Sequence, residues 1–556
     1  MPPDGVSAYY SEDMTMEEVQ LVSDMMKEVG IEPWNTRIWR RSGRGENGEI
    51  PEYDLRIASA KCLPTRTYYF ENKCTIHVVF GDFKDDLKEV VMHLKNALPY
   101  ADTDEQREIV TCFIDYLETG SIESHKRSQV LWLNQKEPSI DVNIGFVETY
   151  RDPHGSRAEF EGYVATINKA ASKQFLALTE RADKLLALLP WPKEFHGEKF
   201  QCPDFTCFEI VVYANGTIPT GINLPNYEDV REAHGSKNIC LSNVLNSEDY
   251  RTQTSFLLDE DVQILKRTKG EVFLIHLACH ELLGHGSGKL FTKSKEGEYN
   301  FPHGKIRHPF TGEPVINCYG PGDTWNSVFE NISSAFEECR AECVGLFFST
   351  LPEALETFGH TGQYAEDLMY LNWLIMVRAG FLAIEFYSED KGHWRQAHMQ
   401  ARFAILRTLL SASERDAEEV LAKGTRESAQ GSEFLKIEHR RNRSAVIRLN
   451  RKKIRSVGLP AIRELLMKLQ VYRSTADAEK GREFFTELTT IPRNLMEWRR
   501  IVLANKRARP ICVQVHTRLI EDNDGESHVI MEEFPATPLG IIESHVARFK
   551  NWAFEC

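Results

Sequence analysis

The chain has 556 residues, 42% of them apolar and 27% charged, with a formal net charge of −15. Such values belong to a soluble globular protein of two lobes or a few smaller units, not to a disordered or membrane-embedded chain. The acidic balance repels nucleic acid and anionic lipid, so neither is expected as a partner.

Met1 is followed by prolines, Asp4 and Gly5, with neither the basic nor the apolar region of a signal peptide. The 12 cysteines are scattered and form no C-x-x-C pair, which predicts reduced thiols and a cytoplasmic location. Residues 1–165 mix short elements: Thr75 to Phe80 reads as a strand, and Lys84 to Leu98 has the helical spacing of Leu87, Val90, Val91 and Leu94. Tyr163 to Leu189 reads as a helical stretch ended by Pro190-Trp191-Pro192. Residues 206–250 read as irregular around Pro219-Thr220-Gly221 and Pro225-Asn226. From about 260 to 505 the chain reads as mainly helical, apart from a surface loop from Thr292 to Asp323. Leu371 to Phe386 is the most apolar long stretch, but Asn372, Arg378 and Glu385 interrupt it, so a buried core helix is expected rather than a membrane span. After Pro510, Ile511 to Val515 is strand-like.

The expected fold is α+β. A mixed lobe is assembled from residues 1–168, 206–250 and 509–556, and a helical lobe from 169–205 and 251–508, with a cleft suited to a ligand.

The chemistry concentrates in His280-Glu281-Leu282-Leu283-Gly284-His285. Two imidazoles suit a borderline-soft cation, and the adjacent carboxylate can take a proton from an attacking water. Histidines four apart on a helix lie about 40° apart, whereas five apart they lie about 140° apart. Both reach one metal only if the helix absorbs an extra residue, for instance as a π-bulge near Leu283-Gly284. Taken alone, the segment is equally a pair of ordinary histidines near a helix C-terminus. His276, four residues before His280, forms a rival pair with no acid following it. Downstream, Phe336-Glu337-Glu338-Cys339-Arg340-Ala341-Glu342 places Glu338 and Glu342 on one helical face. In isolation it reads as a solvated charged helix; beside the histidines it can supply a third ligand and a partner for a ligating imidazole.

Together these two motifs resemble the dipeptidyl peptidase III family. Phe146 to Pro153, Gly221 to Tyr227 and Trp394 to Phe403 are similar to further segments of that family, so the resemblance runs from about residue 8 to 550. It implies two lobes around a wide cleft, with a mostly helical zinc-bearing upper lobe and a lower lobe containing a β-barrel, incomplete here. It also implies one zinc ion per chain on His280, His285 and Glu338, with Glu281 as general base and acid and Glu337 and Glu342 as partners of the histidines. Tyr150 and His398 would stabilise the tetrahedral intermediate; Glu148, Asn223 and Asn226 would hold the free amino end of a short peptide, and Arg402 or Arg509 its distal part. The implied activity is release of dipeptides from the amino end of short peptides by a monomeric enzyme.

Three features depart from the family pattern. A region ahead of Met1 is absent, Pro510 follows Arg509, which would weaken anchoring of the peptide's far end, and His276 is a stray imidazole near the metal, placed to modify the surroundings of its ligands. The alternative is therefore a zinc-containing peptide-binding or scaffold protein with weak or no turnover. Eight Lys or Arg residues between Arg440 and Arg455 would suggest nucleic acid in isolation; in this acidic chain they are expected on a solvated face or cleft wall.

Overall fold

The first helix, α1 (Met16–Glu28), begins at a capping box in which the Thr15 hydroxyl accepts the Glu18 N–H and the Glu18 carboxylate accepts the Thr15 N–H. Its buried stripe of Val19, Val22, Met25 and Met26 has helical spacing and packs on Ile38, Leu55, Ile76 and Val78. A computed structural model describes residues 7–42, 50–70, 73–135, 138–197, 204–215, 218–219, 221–247, 254–389, 392–422, 433–440, 444–506, 511 and 513–549. The chain divides into two units, one of Met1–Lys169, Asp204–Val244 and Ile511–Cys556, the other of Ala170–Pro203 and Leu245–Pro510.

The first unit is mixed. Strands β1 (Thr36–Ser42), β2 (Glu52–Ala58), β3 (Arg66–Phe70) and β4 (Cys74–Asp82) form a sheet in the order β1-β2-β4-β3, and β2 pairs parallel with β4. The expected strand is β4, whose Cys74, Ile76 and Val78 alternate into the core. The expected helix is α2 (Lys84–Ala97), with Leu87 and Val91 buried. Helices α3 (Asp104–Thr119) and α4 (Ile122–Asn134) pack on a second sheet. That sheet has the order β5-β6-β7-β9-β8 and consists of β5 (Asp141–Glu148), β6 (Glu159–Ile167), β7 (Asp204–Ala214), β8 (Gly221–Leu224) and β9 (Lys237–Leu241). A short helix, α5 (Glu228–His234), lies between β8 and β9. One sheet curls into a half-barrel, so the expected barrel is open.

Three readings of this region need correction. Tyr163 lies in β6, and helix begins only at Lys169; Tyr163 and Ala165 alternate into the core, and that period of two outweighs the helical spacing read further on. The described residues between 206 and 247 are largely regular: β7 runs eleven residues through aromatic and β-branched side chains, Pro219 precedes β8, and Pro225-Asn226 marks the connection from β8 to α5. Ile511 and Val513 to Val515 lie outside strands, and extended pairing begins at His516–Glu521 against Ser527–Glu532.

The second unit is mostly helical, and its described residues include two short hairpins, one of them pairing Leu435–Arg440 with Ser444–Leu449. Its main helices are α6 (Asp259–Ala278), α7 (Ser333–Ser349), α8 (Gly362–Ala383), α9 (Ala397–Ala422) and α10 (Leu459–Ser474). Helix α7 lies among the others and is buried almost all round from Cys339 to Ser349, so the charged motif it carries is interior, not solvated. Helix α8 is long and apolar enough to cross a membrane, but 78% of its most apolar window is buried within the fold. The Thr292 to Asp323 segment carries only isolated bridges and is pinned by buried Phe301, Ile306, Val315 and Tyr319.

Candidate metal centre

The chain from Cys279 to His285 leaves α6 as a π-helix. Its i→i+5 hydrogen bonds stack residues five apart as an α-helix stacks residues four apart, so the extra residue between His280 and His285 is absorbed. Gly284 makes this packing possible: a Cβ there would stand 2.8 Å from Ala341 Cα and 2.9 Å from Ala341 Cβ on α7. The two ring Nε2 atoms lie 3.2 Å apart, and Glu338 Oε2 lies 3.3 Å from that of His280 and 3.7 Å from that of His285.

The remaining ring nitrogens fix the tautomers. His285 Nδ1 lies 3.1 Å from Glu337 Oε1, and His280 Nδ1 lies 3.5 Å from Glu342 Oε2. Carboxylates only accept, so both imidazoles carry their proton on Nδ1 and direct the Nε2 lone pair inward. Two nitrogen lone pairs and a buried carboxylate oxygen thus converge on one point, where only a cation relieves their repulsion. A tetrahedral ion bonded at roughly 2.0–2.2 Å has donor–donor edges of about 3.3–3.6 Å, close to the three distances found. His280, His285 and Glu338 can therefore hold a metal ion.

The acids are strongly held as anions. Burial opposes ionisation of Glu337, yet the charges of Arg340 and Arg473 keep its carboxyl well below the usual range. Glu342 is kept low against the same penalty by Arg402 and His276, and Glu338 by His280 and His398. Burial disfavours a charged His280, but its contacts with Glu338 and Glu342 outweigh that and push the ring up to about 10. Positive charge is wanted at this point, whether as a proton or as a metal ion.

Glu281 projects toward the same place, partly exposed, with Oε1 4.0 Å from His280 Nε2. His398, on the first turn of α9, puts Nδ1 3.1 Å from Glu338 Oε2. Arg402, one turn on, donates Nε to Glu342 Oε1 at 2.8 Å, so an interaction with a peptide's distal end must use its other nitrogens. Arg509 lies outside the described residues. Arg340 and Arg473 were not singled out from the sequence. Arg340 has its signal in the i,i+3 spacing from Glu337, whereas Arg473 comes from α10 with none.

Glu148, Tyr150, Asn223 and Asn226 belong to the first unit. Glu148 ends β5, where burial pushes its carboxyl up, the Asn226 amide opposes, and Glu161 and Glu159 raise it further. Asn226 Nδ2 also donates to Val147 O at 3.0 Å. Asn223 pairs with Asn238 and Arg231 at 2.6 and 2.5 Å. Tyr150 is 87% exposed, and the Glu148 charge raises its hydroxyl above the ordinary value. Glu161 was also missed from the sequence: its Oε2 accepts from Tyr213 and Asn215, while its buried Oε1 has no hydrogen bond. Glu148 and Glu161 make an acidic patch suited to a donor-only ammonium.

The sequence model of peptidase family M49 matches residues 1–549. Dipeptidyl peptidase 3 of Mus musculus is 40% identical over 563 residues, covering 98% of this chain and 73% of its own length. The Homo sapiens protein of that name is 40% identical over 564 residues, with 98% and 73% covered. That of Nematostella vectensis is 38% identical over 559 residues, with 98% and 74% covered. Among solved structures, DPP III from Caldithrix abyssi superposes with a TM-score of 0.60 at 18% identity, over 89% of this chain and 78% of the other. Dipeptidyl-peptidase III from Corallococcus sp. strain EGB gives 0.53 at 15% identity, over 88% and 75%.

Proposed function

The chain belongs to peptidase family M49 and is a metallopeptidase of the dipeptidyl-peptidase kind, and we propose that it works with one zinc ion held by His280, His285 and Glu338. The observation that carries the proposal is the convergence of two Nε2 lone pairs and Glu338 Oε2, each histidine held from behind by an acid. Neutral imidazoles and a carboxylate are a donor set that zinc accepts. Zinc bound there would supply a Lewis acid that acidifies a water and polarises the scissile carbonyl.

The remaining chemistry falls to side chains. Glu281 takes the proton of the attacking water on its carboxylate and returns it to the leaving amine. The Tyr150 hydroxyl and a ring N–H of His398 are the donors for charge developing on the carbonyl oxygen. Glu148, assisted by Asn223 and Asn226, holds the free ammonium of a short peptide, which selects the amino end and sets the product as a dipeptide. Arg402 and Arg509 are assigned to the distal part. Action on peptides as a monomer, in a reducing cytoplasm, completes the reading. No observation favours a scaffold without turnover.

The test uses a short peptide with a free amino terminus and the same peptide acetylated. Purified protein should contain one zinc per chain, release a dipeptide from the first peptide only, and lose that activity with a chelator. Glu281→Gln should keep the metal and lose turnover by several orders of magnitude. Dipeptide release that survives Glu281→Gln, or cleavage of both peptides alike, would sink the assignment.

A further inference from the structure

His276 is one turn ahead of His280 on α6 and outside the ligand set. Its Nε2 lies 2.5 Å from Glu342 Oε2, the same oxygen that lies 3.5 Å from His280 Nδ1. The other oxygen of Glu342 accepts Arg402 Nε at 2.8 Å. Glu342 is 1% exposed, so its carboxylate is held inside the fold. A Cβ on Gly345 would stand 2.7 Å from His276 Cε1, so the ring fits only because α7 carries a glycine there.

We infer that His276 is a positioning residue for the metal site: with Arg402 it clamps Glu342 in the orientation that holds the Nδ1 proton of His280. The inference rests on His280, His285 and Glu338 being the metal's ligands. The carboxylate has one soft torsion at its end. Arg402 alone satisfies one oxygen and leaves the plane of the carboxylate free to turn toward the guanidinium. His276, donating from the opposite side, fixes the second oxygen under His280. Glu342 is acceptor-only, so His276 must present Nε2–H, and the ring's bare Nδ1 faces the Gly345 side without a hydrogen-bond partner.

A second metal ion on His276, His280 and Glu342 is the rival reading of the same cluster. The 2.5 Å contact speaks against it, because donors sharing an ion stand about 3.3 Å apart, and the Arg402 cation already occupies the carboxylate.

The test is metal affinity of the full chain, read by competition with a chromophoric chelator. His276→Leu fills the space without a donor, whereas His276→Gln places an amide N–H near the lost Nε2–H. Affinity should fall on the order of 10-fold in His276→Leu and return to near wild type in His276→Gln. Neither change should matter further once Glu342→Gln is present. Unchanged affinity in His276→Leu, equal loss in both variants, or an undiminished effect over Glu342→Gln would each overturn the inference in favour of simple packing. If His276→Leu does not fold, His276→Asn, whose shorter amide falls short of the carboxylate, takes its place. Failure of the parent reading is separate: wild type that binds no metal, or His280→Ala that binds it equally well, removes the ligand set itself.

Discussion

Gly284→Ala sets two effects against each other. Replacing glycine by alanine at a compatible helical position stabilises by about 0.4–1 kcal/mol, because the unfolded chain loses freedom. At Gly284 the new methyl would meet Ala341 Cα at 2.8 Å, its Cβ at 2.9 Å and its carbonyl oxygen at 3.1 Å. None of these atoms is the end of a flexible side chain, so relief requires the π turn and α7 to separate. Ordinary carbon contacts begin near 3.5 Å, so the gap to open is roughly 0.7 Å. Overpacking of this kind costs about 1–3 kcal/mol, which exceeds the entropic gain. The displacement also falls between His285, next in sequence, and Glu338, one turn before Ala341, while a metal site tolerates roughly 0.2 Å. The metal-free variant should therefore unfold at lower urea concentration, and its zinc dissociation constant should rise at least on the order of 10-fold. Adding Ala341→Gly should restore only part of the loss, because the Cα and carbonyl remain. A Gly284→Ala protein as stable as wild type that binds zinc equally well would refute the argument.

His125 is buried beneath Gly145, with Nδ1 2.7 Å from the Tyr227 hydroxyl, and burial pushes the ring down to about 4 against roughly 6.5 when unfolded. Below pH 6.5 the unfolded chain therefore takes up a proton that the fold refuses, and roughly 3 kcal/mol of stability should drain away by pH 4. His125→Gln should flatten that part of the urea-midpoint profile, and parallel profiles would exclude His125 as its source. Arg340→Lys keeps the charge but cannot span Glu337, Ser287 and Gly284 O together, so metal-free stability should drop by at least about 2 kcal/mol; a change under about 0.5 kcal/mol would contradict it. Glu148→Gln removes the proposed charge partner of a peptide ammonium, so KM should rise on the order of 10-fold with kcat little altered; an unchanged KM would remove Glu148 from amine recognition.

The candidate metal motifs were legible because their residues are local: six residues of chain bring together His280, Glu281 and His285, and one helical turn relates Glu338 to Glu342; the family resemblance, not the spacing, chose a metal site over ordinary histidines. Residues that matter through burial left no such trace. His125 and Glu161 acquire their character from the strands laid over them, which no spacing encodes. The basic stretch shows the converse. Arg451 and Arg455 pair with Asp367 and Glu366 of α8 at 2.5 and 2.7 Å, and Lys453 with Asp416 of α9 at 2.5 Å. In a run that reads as a charged surface, these three cations are paired with acids some forty to ninety residues away in sequence. The error at Tyr163 has a similar origin: the aromatic and apolar run past β6 fits either period, and pairing with β5 and β7 decides it.

The fifth residue between the histidines poses a problem that α7 answers twice. Lengthening the turn needs a close approach at Gly284, which Ala341 permits, and the Gly284 carbonyl at the turn's end gathers donors from Ser287 and from α7. Arg340 supplies one from Nη2 at 2.8 Å and holds Ser287 Oγ at 2.9 Å. The same guanidinium grips Glu337, the acid behind His285. One buried side chain thus ties the shape of the backbone to the direction of a ligand. A shift in either is felt by the other, and shortening the motif to four-residue spacing would strand Arg340 as well as misplace the histidine. The charges of the second motif are therefore tied to the shape of the long first motif as well as offering the proposed third ligand.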